Sequence, residues 1–266
     1  MSAGNRIDRR FAALRDRGRT ALVPFMTAGD PSLDATVPVM HALVAAGADL
    51  LELGVPFSDP MADGPVIQQS SERALARGVG LATVLGMVAA FRKDDADTPV
   101  VLMGYMNPVE VFGLQRFAQA AAAAGVDGVL LVDCPPEEAS ETRAALASHG
   151  LLQIMLAAPT TPDARLDTLF AESQGYLYYV SFAGVTGASG LDVATLRQRI
   201  APLRGRLPIA VGFGVRDVAS ASAIGAFADA VVIGSALVST MADAASPSDA
   251  ASRASAFLAP IRAALP

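Results

Sequence analysis

The chain is poor in the side chains that most enzymes use for covalent or metal chemistry. Its 266 residues include one Cys (Cys134), two His (His41 and His149) and no Trp. Of 20 basic residues, 19 are Arg, and the only Lys is Lys93. One Cys cannot close an internal disulfide, so nothing calls for an oxidising compartment, and a cytoplasmic location is expected. The same scarcity argues against a zinc site of the usual Cys/His kind, and no metal ligand is assigned. Schiff-base chemistry would fall to Lys93, which stands in the charged turn Arg92-Lys93-Asp94-Asp95. Long apolar runs are missing too. Stretches 144–162 and 173–191 carry no charge, but the first holds His149, Gln153 and two Pro, and the second holds four Gly. Neither reads as a membrane span, which needs about 20 predominantly apolar residues. Nor is there an excess of positive charge. Asp and Glu number 26, the net charge is −6, and nucleic acid is not an expected partner.

What is present is a large apolar fraction, 52%, arranged in short runs. Eight β-type runs recur at 21–27, 49–54, 99–104, 128–132, 151–156, 176–181, 207–212 and 230–234. They are nearly continuous rather than alternating, as expected of parallel strands buried on both faces. Ala- and Leu-rich stretches with helical spacing lie between them, such as 117–124 and 137–148. An internal echo supports repeated units. Ala46-Gly47-Ala48-Asp49, Ala124-Gly125-Val126-Asp127 and Gly225-Ala226-Phe227-Ala228-Asp229 each precede an apolar run. In each, the Gly suits a left-handed helix C-cap. The predicted fold is therefore α/β, a closed (β/α)8 barrel forming one domain over 1–266. Before the barrel, the Arg-rich N-terminus lacks the apolar core of a secretory signal, and Ile7, Phe11 and Leu14 mark one face of an extra helix docked on the body. The second unit is too long and carries an insertion: a Pro-rich loop at 55–65, then helical stretches at 66–77 and 81–91. The segment 242–256, rich in Ala and Ser, reads as a loop before a final helix.

Two constellations could carry chemistry. Gly-containing turns follow the last three strands, at 184–190, 212–214 and 234–235. Glycine lets backbone N–H groups approach an anion, and barrels often bind phosphate with the loops after strands seven and eight. The other is a set of carboxylates. Glu52 sits inside the apolar run Leu50-Leu51-Glu52-Leu53. A buried carboxylate has a raised pKa or a partner, the property a general acid/base needs near neutral pH. Asp59 and Asp63 lie in the following loop, where Asp before Pro or Gly also suits plain turn chemistry. Asp133 ends the fourth run and reads either as catalytic or as a cap on the next helix. Phe25, Tyr105 and Tyr178 stand near strand ends and suit an aromatic pocket or core packing equally. His41 lies mid-helix; His149 and Lys93 precede strands, at the face where barrels do not place catalysis.

The run from Leu51 through Gly54-Val55-Pro56-Phe57-Ser58-Asp59-Pro60-Met61-Ala62-Asp63-Gly64-Pro65 to Gln68 closely resembles the signature of the tryptophan synthase alpha subunit family. Pro24-Phe25-Met26-Thr27-Ala28-Gly29-Asp30-Pro31, Tyr105-Met106-Asn107-Pro108, Gly184-Val185-Thr186-Gly187 and Gly212-Phe213-Gly214 resemble it too, so the likeness runs from about Phe25 to Ser235. The resemblance implies retro-aldol cleavage of indole-3-glycerol phosphate to indole and glyceraldehyde 3-phosphate. It implies that Glu52 is the general acid/base and that Asp63 binds the indole N–H. Phe25, Tyr105 and Tyr178 would lie near the indole pocket, and Thr186 would orient Asp63. Gly187, Gly214, Gly234 and Ser235 would hold the phosphate. The resemblance further implies a beta subunit partner in an α2β2 assembly, with pyridoxal phosphate in that partner and no cofactor in this chain. Pro56, Asp59, Asn107 and Pro108 match its interface. Where many members carry Ser-Arg-Ser before Gly-Val-Thr-Gly, this chain has Ser181-Phe182-Ala183. With no Lys or His placed at the functional rim, the electrons of the broken bond would have to rest in the substrate, which an indole protonated at C3 allows.

Overall fold

A computed structural model describes residues 4–181, 193–212 and 214–266. Eight strands close into a barrel in sequence order, every neighbouring pair parallel. They are β1 (Ala21–Thr27), β2 (Leu51–Gly54), β3 (Val100–Gly104), β4 (Gly128–Leu131), β5 (Leu152–Ala157), β6 (Leu177–Val180), β7 (Ile209–Gly212) and β8 (Ala230–Ile233). All eight match apolar runs in the sequence to within two residues at every end. Alternate residues divide into two cores, as the two-residue period of a strand requires. Ala21, Val23, Phe25, Val101, Leu130 and Tyr178 fill the barrel. Leu22, Met26, Leu53, Leu102, Val129 and Val211 pack outward under the helices.

The helices are α1 (Arg6–Asp16), α2 (Thr36–Ala45), α3 (Pro65–Ala76), α4 (Leu81–Phe91), α5 (Met106–Phe112), α6 (Leu114–Ala124), α7 (Ala139–Ala147), α8 (Asp163–Glu172), α9 (Val193–Ile200), α10 (Val218–Gly225), α11 (Ser235–Met241) and α12 (Pro247–Ala264). Among the described residues, no single helix is long and apolar enough to cross a membrane. Helix α1 is the expected extra helix, and it plugs the barrel's amino-terminal end. Ile7, Phe11 and Leu14 join the interior core, and the Phe11 ring lies 5.6 Å from that of Tyr176. The insertion after β2 is α3, with α4 taking the usual place between α2 and α6. Two anchors pin α3 to the end of β1: the Thr27 and Ser70 hydroxyls 2.6 Å apart, and a bidentate Arg73–Asp30 pair at 2.7 and 2.8 Å.

The echoed Asp residues have one job in three places. Asp49, Asp127 and Asp229 each accept a backbone N–H from the preceding strand, from Leu22, Val100 and Ile209, all at 2.9 Å. Each carboxylate thereby ties the start of one strand to the start of the next. The left-handed glycine expected in all three repeats holds for Gly47 (φ 101°) and Gly125 (φ 90°) but not for Gly225. Gly225 is the last residue of α10, and its need for no side chain has another cause: a Cβ there would overlap Leu265.

The segment 242–256 is mostly helix rather than loop, because α12 starts at Pro247. Ser246 caps it, its hydroxyl accepting the Asp249 N–H at 3.1 Å. Asp133 is a cap, but not of the following helix. Its Oδ1 accepts the Met106 N–H at 2.8 Å and so holds the first turn of α5, across the rim from β4.

Candidate active site

Glu52 is the middle of β2 and points into the barrel, fully buried. Its Oε1 accepts the Tyr176 hydroxyl at 2.8 Å, and its Oε2 has no hydrogen-bond partner among the described residues. Burial pushes the carboxyl up to about 7, against a smaller downward pull from the Tyr176 hydrogen bond. Such a group exchanges protons readily near neutral pH. Tyr176 did not stand out in the sequence, although its separation of two residues from Tyr178 puts both on the inward face of one strand.

Asp63 lies in the loop between β2 and α3. The Tyr105 hydroxyl donates to its Oδ2 at 3.0 Å and accepts the Ala62 N–H at 3.0 Å, while Gln68 Nε2 donates to the Asp63 carbonyl at 2.8 Å. Tyr105 is itself braced by the Phe57 ring, 5.1 Å away. Burial raises the Asp63 carboxyl despite the opposing Tyr105 bond. Turn chemistry alone would leave Asp63 free to water; this structure instead holds it side chain and backbone. Tyr105 therefore positions Asp63, and it does not line the main cavity. The Tyr178 hydroxyl is pushed well up by burial and by the charges of Glu52 and Asp63.

At the carboxyl-terminal mouth lies a cavity of about 310 Å3. Phe25, Ile67, Met103, Tyr178 and Val232 make its apolar walls, and Asp63 stands on one side. Gly214, Gly234, Ser235 and Arg216 also line it. Phe25 fits because glycine stands at its neighbours: a Cβ at Gly54 would come 2.6 Å from the Phe25 Cζ. Gly214 has φ 81°, a conformation suited to glycine. Glu52 is not among the described residues lining this cavity; in this conformation it is turned toward Tyr176. A larger cavity of about 450 Å3 lies at the other end of the barrel, between α1 and the turns before β7 and β8, and neither carboxylate reaches it.

The structure thus brings Phe25, Asp63, Tyr178, Gly214, Gly234 and Ser235 to one cavity, and Glu52 is the register partner of its wall residue Phe25 on the adjoining strand. Thr186 and Gly187 lie outside the described residues, as does Phe182. Asp59 and Asn107 are exposed and Pro108 is half-buried, but Pro56 is buried. His41 lies on α2, its ring tilted against that of Phe91 of α4 at 4.7 Å, with its Nε2 buried and without a hydrogen bond among the described residues. Among the described residues, no three His, Cys, Asp or Glu side chains stand close enough to hold a metal ion. Ile67 and Gln68 lie at the end of the signature run but were given no role there, and Met103 and Arg216 were missed, since nothing in the sequence marks them locally.

A family profile described as tryptophan synthase alpha chain matches residues 11–265. The tryptophan synthase alpha chain of Xanthomonas euvesicatoria pv. vesicatoria is 65% identical over 263 residues, covering 98% of both chains. That of Xylella fastidiosa (strain M12) is 63% identical with the same coverage. Among solved structures, tryptophan synthase subunit alpha from Legionella pneumophila superposes with a TM-score of 0.91 at 43% identity, covering 99% of each chain. A chain of Mycobacterium tuberculosis tryptophan synthase gives 0.87 at 36% identity, covering 98% of each. A closed barrel with Asp63 at its mouth and Glu52 buried in its interior, matched along nearly its whole length, belongs to the tryptophan synthase alpha chain family, and the chain is a carbon–carbon lyase.

Proposed function

We propose that this lyase cleaves indole-3-glycerol phosphate to indole and glyceraldehyde 3-phosphate by a retro-aldol reaction in tryptophan biosynthesis. A proton adds to C3 of the indole, and a proton leaves the glycerol hydroxyl next to the bond that breaks. The carbon–carbon bond then opens, its electrons return to the ring, and the aldehyde departs. Glu52 moves these protons. Asp63 accepts the indole N–H and stabilises the positive charge that C3 protonation creates. The observation that carries the reading is Glu52, a fully buried carboxyl poised at about 7 beside an aromatic cavity. To reach substrate it exchanges the Tyr176 hydroxyl for the ligand, turning toward the cavity. The indole would stack among Phe25, Ile67, Met103 and Tyr178. The phosphate would sit toward Gly214, Gly234 and Ser235, with Thr186 and Gly187 contributing from the loop after β6.

A beta subunit is the proposed partner, in an α2β2 assembly that takes up the indole; pyridoxal phosphate belongs to that partner. The rim segments that carry Pro56, Asp59, Asn107 and Pro108 also display the two most exposed large apolar side chains among the described residues, Met61 (84%) and Val111 (79%). The deciding experiment measures indole release from indole-3-glycerol phosphate with and without a beta subunit. Release that the partner accelerates is expected; no indole under either condition sinks the proposal.

Two further outcomes follow from the geometry. Tyr176→Phe removes a hydrogen bond that holds the Glu52 carboxyl down, so the limb of the pH–rate profile due to Glu52 should move to higher pH. An unmoved limb would mean that Tyr176 does not tune Glu52 during turnover. In Gly212→Ala, the new Cβ would overlap the Tyr178 hydroxyl. The ring must tilt into the cavity, and KM should rise about tenfold with the circular dichroism spectrum unchanged.

A further inference from the structure

We infer that Arg216 is a substrate-binding residue whose guanidinium takes the phosphate of the ligand in the carboxyl-terminal cavity; this rests on the function proposed above. A phosphate ester carries close to two negative charges at neutral pH, and it must enter a site already holding carboxylates. Among the described residues lining the cavity, Asp63 is the one anion and Arg216 the one cation. Glycine turns offer backbone N–H dipoles but no net charge. Arg216 is the described group that can balance the ligand's charge, and it lines the same cavity as Gly214, Gly234 and Ser235.

Its surroundings leave it available for that task. The Arg216 backbone is fixed: its N–H donates to Ser220 Oγ at 3.1 Å, and the next residue, Asp217, caps α10. The Asp217 carboxylate is the anion nearest the guanidinium, but it is engaged elsewhere. Its Oδ1 accepts the Ser220 N–H at 2.8 Å and the Ser220 hydroxyl at 2.7 Å, and those bonds hold its pKa low. From Arg216 Nε to Asp217 Oδ2 is 3.8 Å, too long for a hydrogen bond, and the Arg216 side chain is 80% exposed. The planar fork therefore keeps its donors, in the geometry that suits bidentate phosphate recognition. The sequence departure at Phe182 fits the same account: a chain without Arg before its Gly-Val-Thr-Gly turn has one after β7.

The test compares wild type, Arg216→Gln and Arg216→Lys as intact chains, alone and with a beta subunit. Calorimetric titration uses inorganic phosphate and glycerol 3-phosphate as probes, and steady-state kinetics uses indole-3-glycerol phosphate. Arg216→Gln should weaken both probes about tenfold and raise KM by a similar factor, with kcat within about twofold. Arg216→Lys should recover part of the affinity, because charge returns without the fork. Wild-type binding should fall more steeply than that of Arg216→Gln as salt rises, because the lost interaction is electrostatic and exposed. Probe affinities within about twofold of wild type in Arg216→Gln would overturn the inference, as would a fall in kcat at constant KM. If wild type binds glycerol 3-phosphate but releases no indole, the proposed reaction fails, and the comparison of probe affinities still decides the role of Arg216.

Discussion

Glu52→Gln is expected to slow indole release at least about 100-fold while leaving substrate binding in place, since it removes the proton carrier and keeps the shape. Unchanged turnover would sink the assignment. The same substitution should stabilise the protein at alkaline pH, and this second effect follows from the same burial. In the folded chain the carboxyl is raised from 4.5 to about 7. Between those values the folded state holds a proton that the unfolded state has lost, so stability falls as pH rises across that window. The slope is about 1.4 kcal/mol per pH unit, and roughly 3 kcal/mol is forfeited above pH 7. A glutamine carries no charge to penalise. The difference in melting temperature between Glu52→Gln and wild type should therefore open by several degrees between about pH 5 and pH 8. A constant difference would mean that water or a rearranged partner relieves the buried charge. A rise in stability alongside a loss of rate would identify Glu52 as a site where function is kept at a cost to the fold.

Legibility in the sequence tracked the range of the interaction. The eight strands could be read because each carries its own burial signal, a run apolar on both faces. Helix α1 could be read from Ile7, Phe11 and Leu14, although the pattern could not say that they close the barrel's amino-terminal end. The final helix was expected, but its start was placed too late although it was legible: Ser246-Pro247-Ser248-Asp249 is a serine cap with proline at the first helical position and an acid in the first turn. Helix α5 was different in kind. It has seven residues, and its start is held by Asp133, which follows β4 in the next unit, so no local window contains the cause. The site divides in the same way. Glu52 stood out as a carboxylate in an apolar strand, but its partner Tyr176 lies 124 residues away. Asp63 looked like a turn residue until the Tyr105 hydroxyl, 42 residues on, closed over it. Arg216 sits in an ordinary polar turn and gains meaning only from the cavity it borders.

Replacing Asp127 with Ala should cost more stability than removing almost any other single charge, about 3 kcal/mol, because it takes the closest anion from a mostly buried cation and leaves Asp95, at 3.9 Å, to balance it. Asp127 is 3% exposed, and its carboxylate takes three partners from three segments. Oδ1 accepts Arg6 of α1 at 2.9 Å, while Oδ2 accepts Arg92, just past α4, at 2.8 Å and the Val100 N–H of β3 at 2.9 Å. The Arg92 side chain is only 10% exposed, and burial already pulls its pKa down against the support of Asp127. Without the carboxylate, the Val100 N–H would lose its acceptor, and Arg92 would keep the Gly125 and Thr98 carbonyls but lose its 2.8 Å ion pair in a place water reaches poorly. Asp127→Asn keeps an acceptor for Val100 and loses the charge, so its cost should fall between wild type and Asp127→Ala. Asp167 provides the contrast. Its pair with Arg206, at 2.6 Å, is shorter than either arginine contact of Asp127, but the side chains are 73% and 41% exposed. Asp167→Ala should change stability by less than about 1 kcal/mol. Denaturant titrations of the three variants check the order. If Asp127→Ala and Asp167→Ala cost the same, burial would not be what gives the repeated Asp its weight. Hydrogen exchange in α1 gives an independent readout: losing Asp127 should speed exchange there, because Arg6 is one of the ties that hold the helix against the barrel's amino-terminal end.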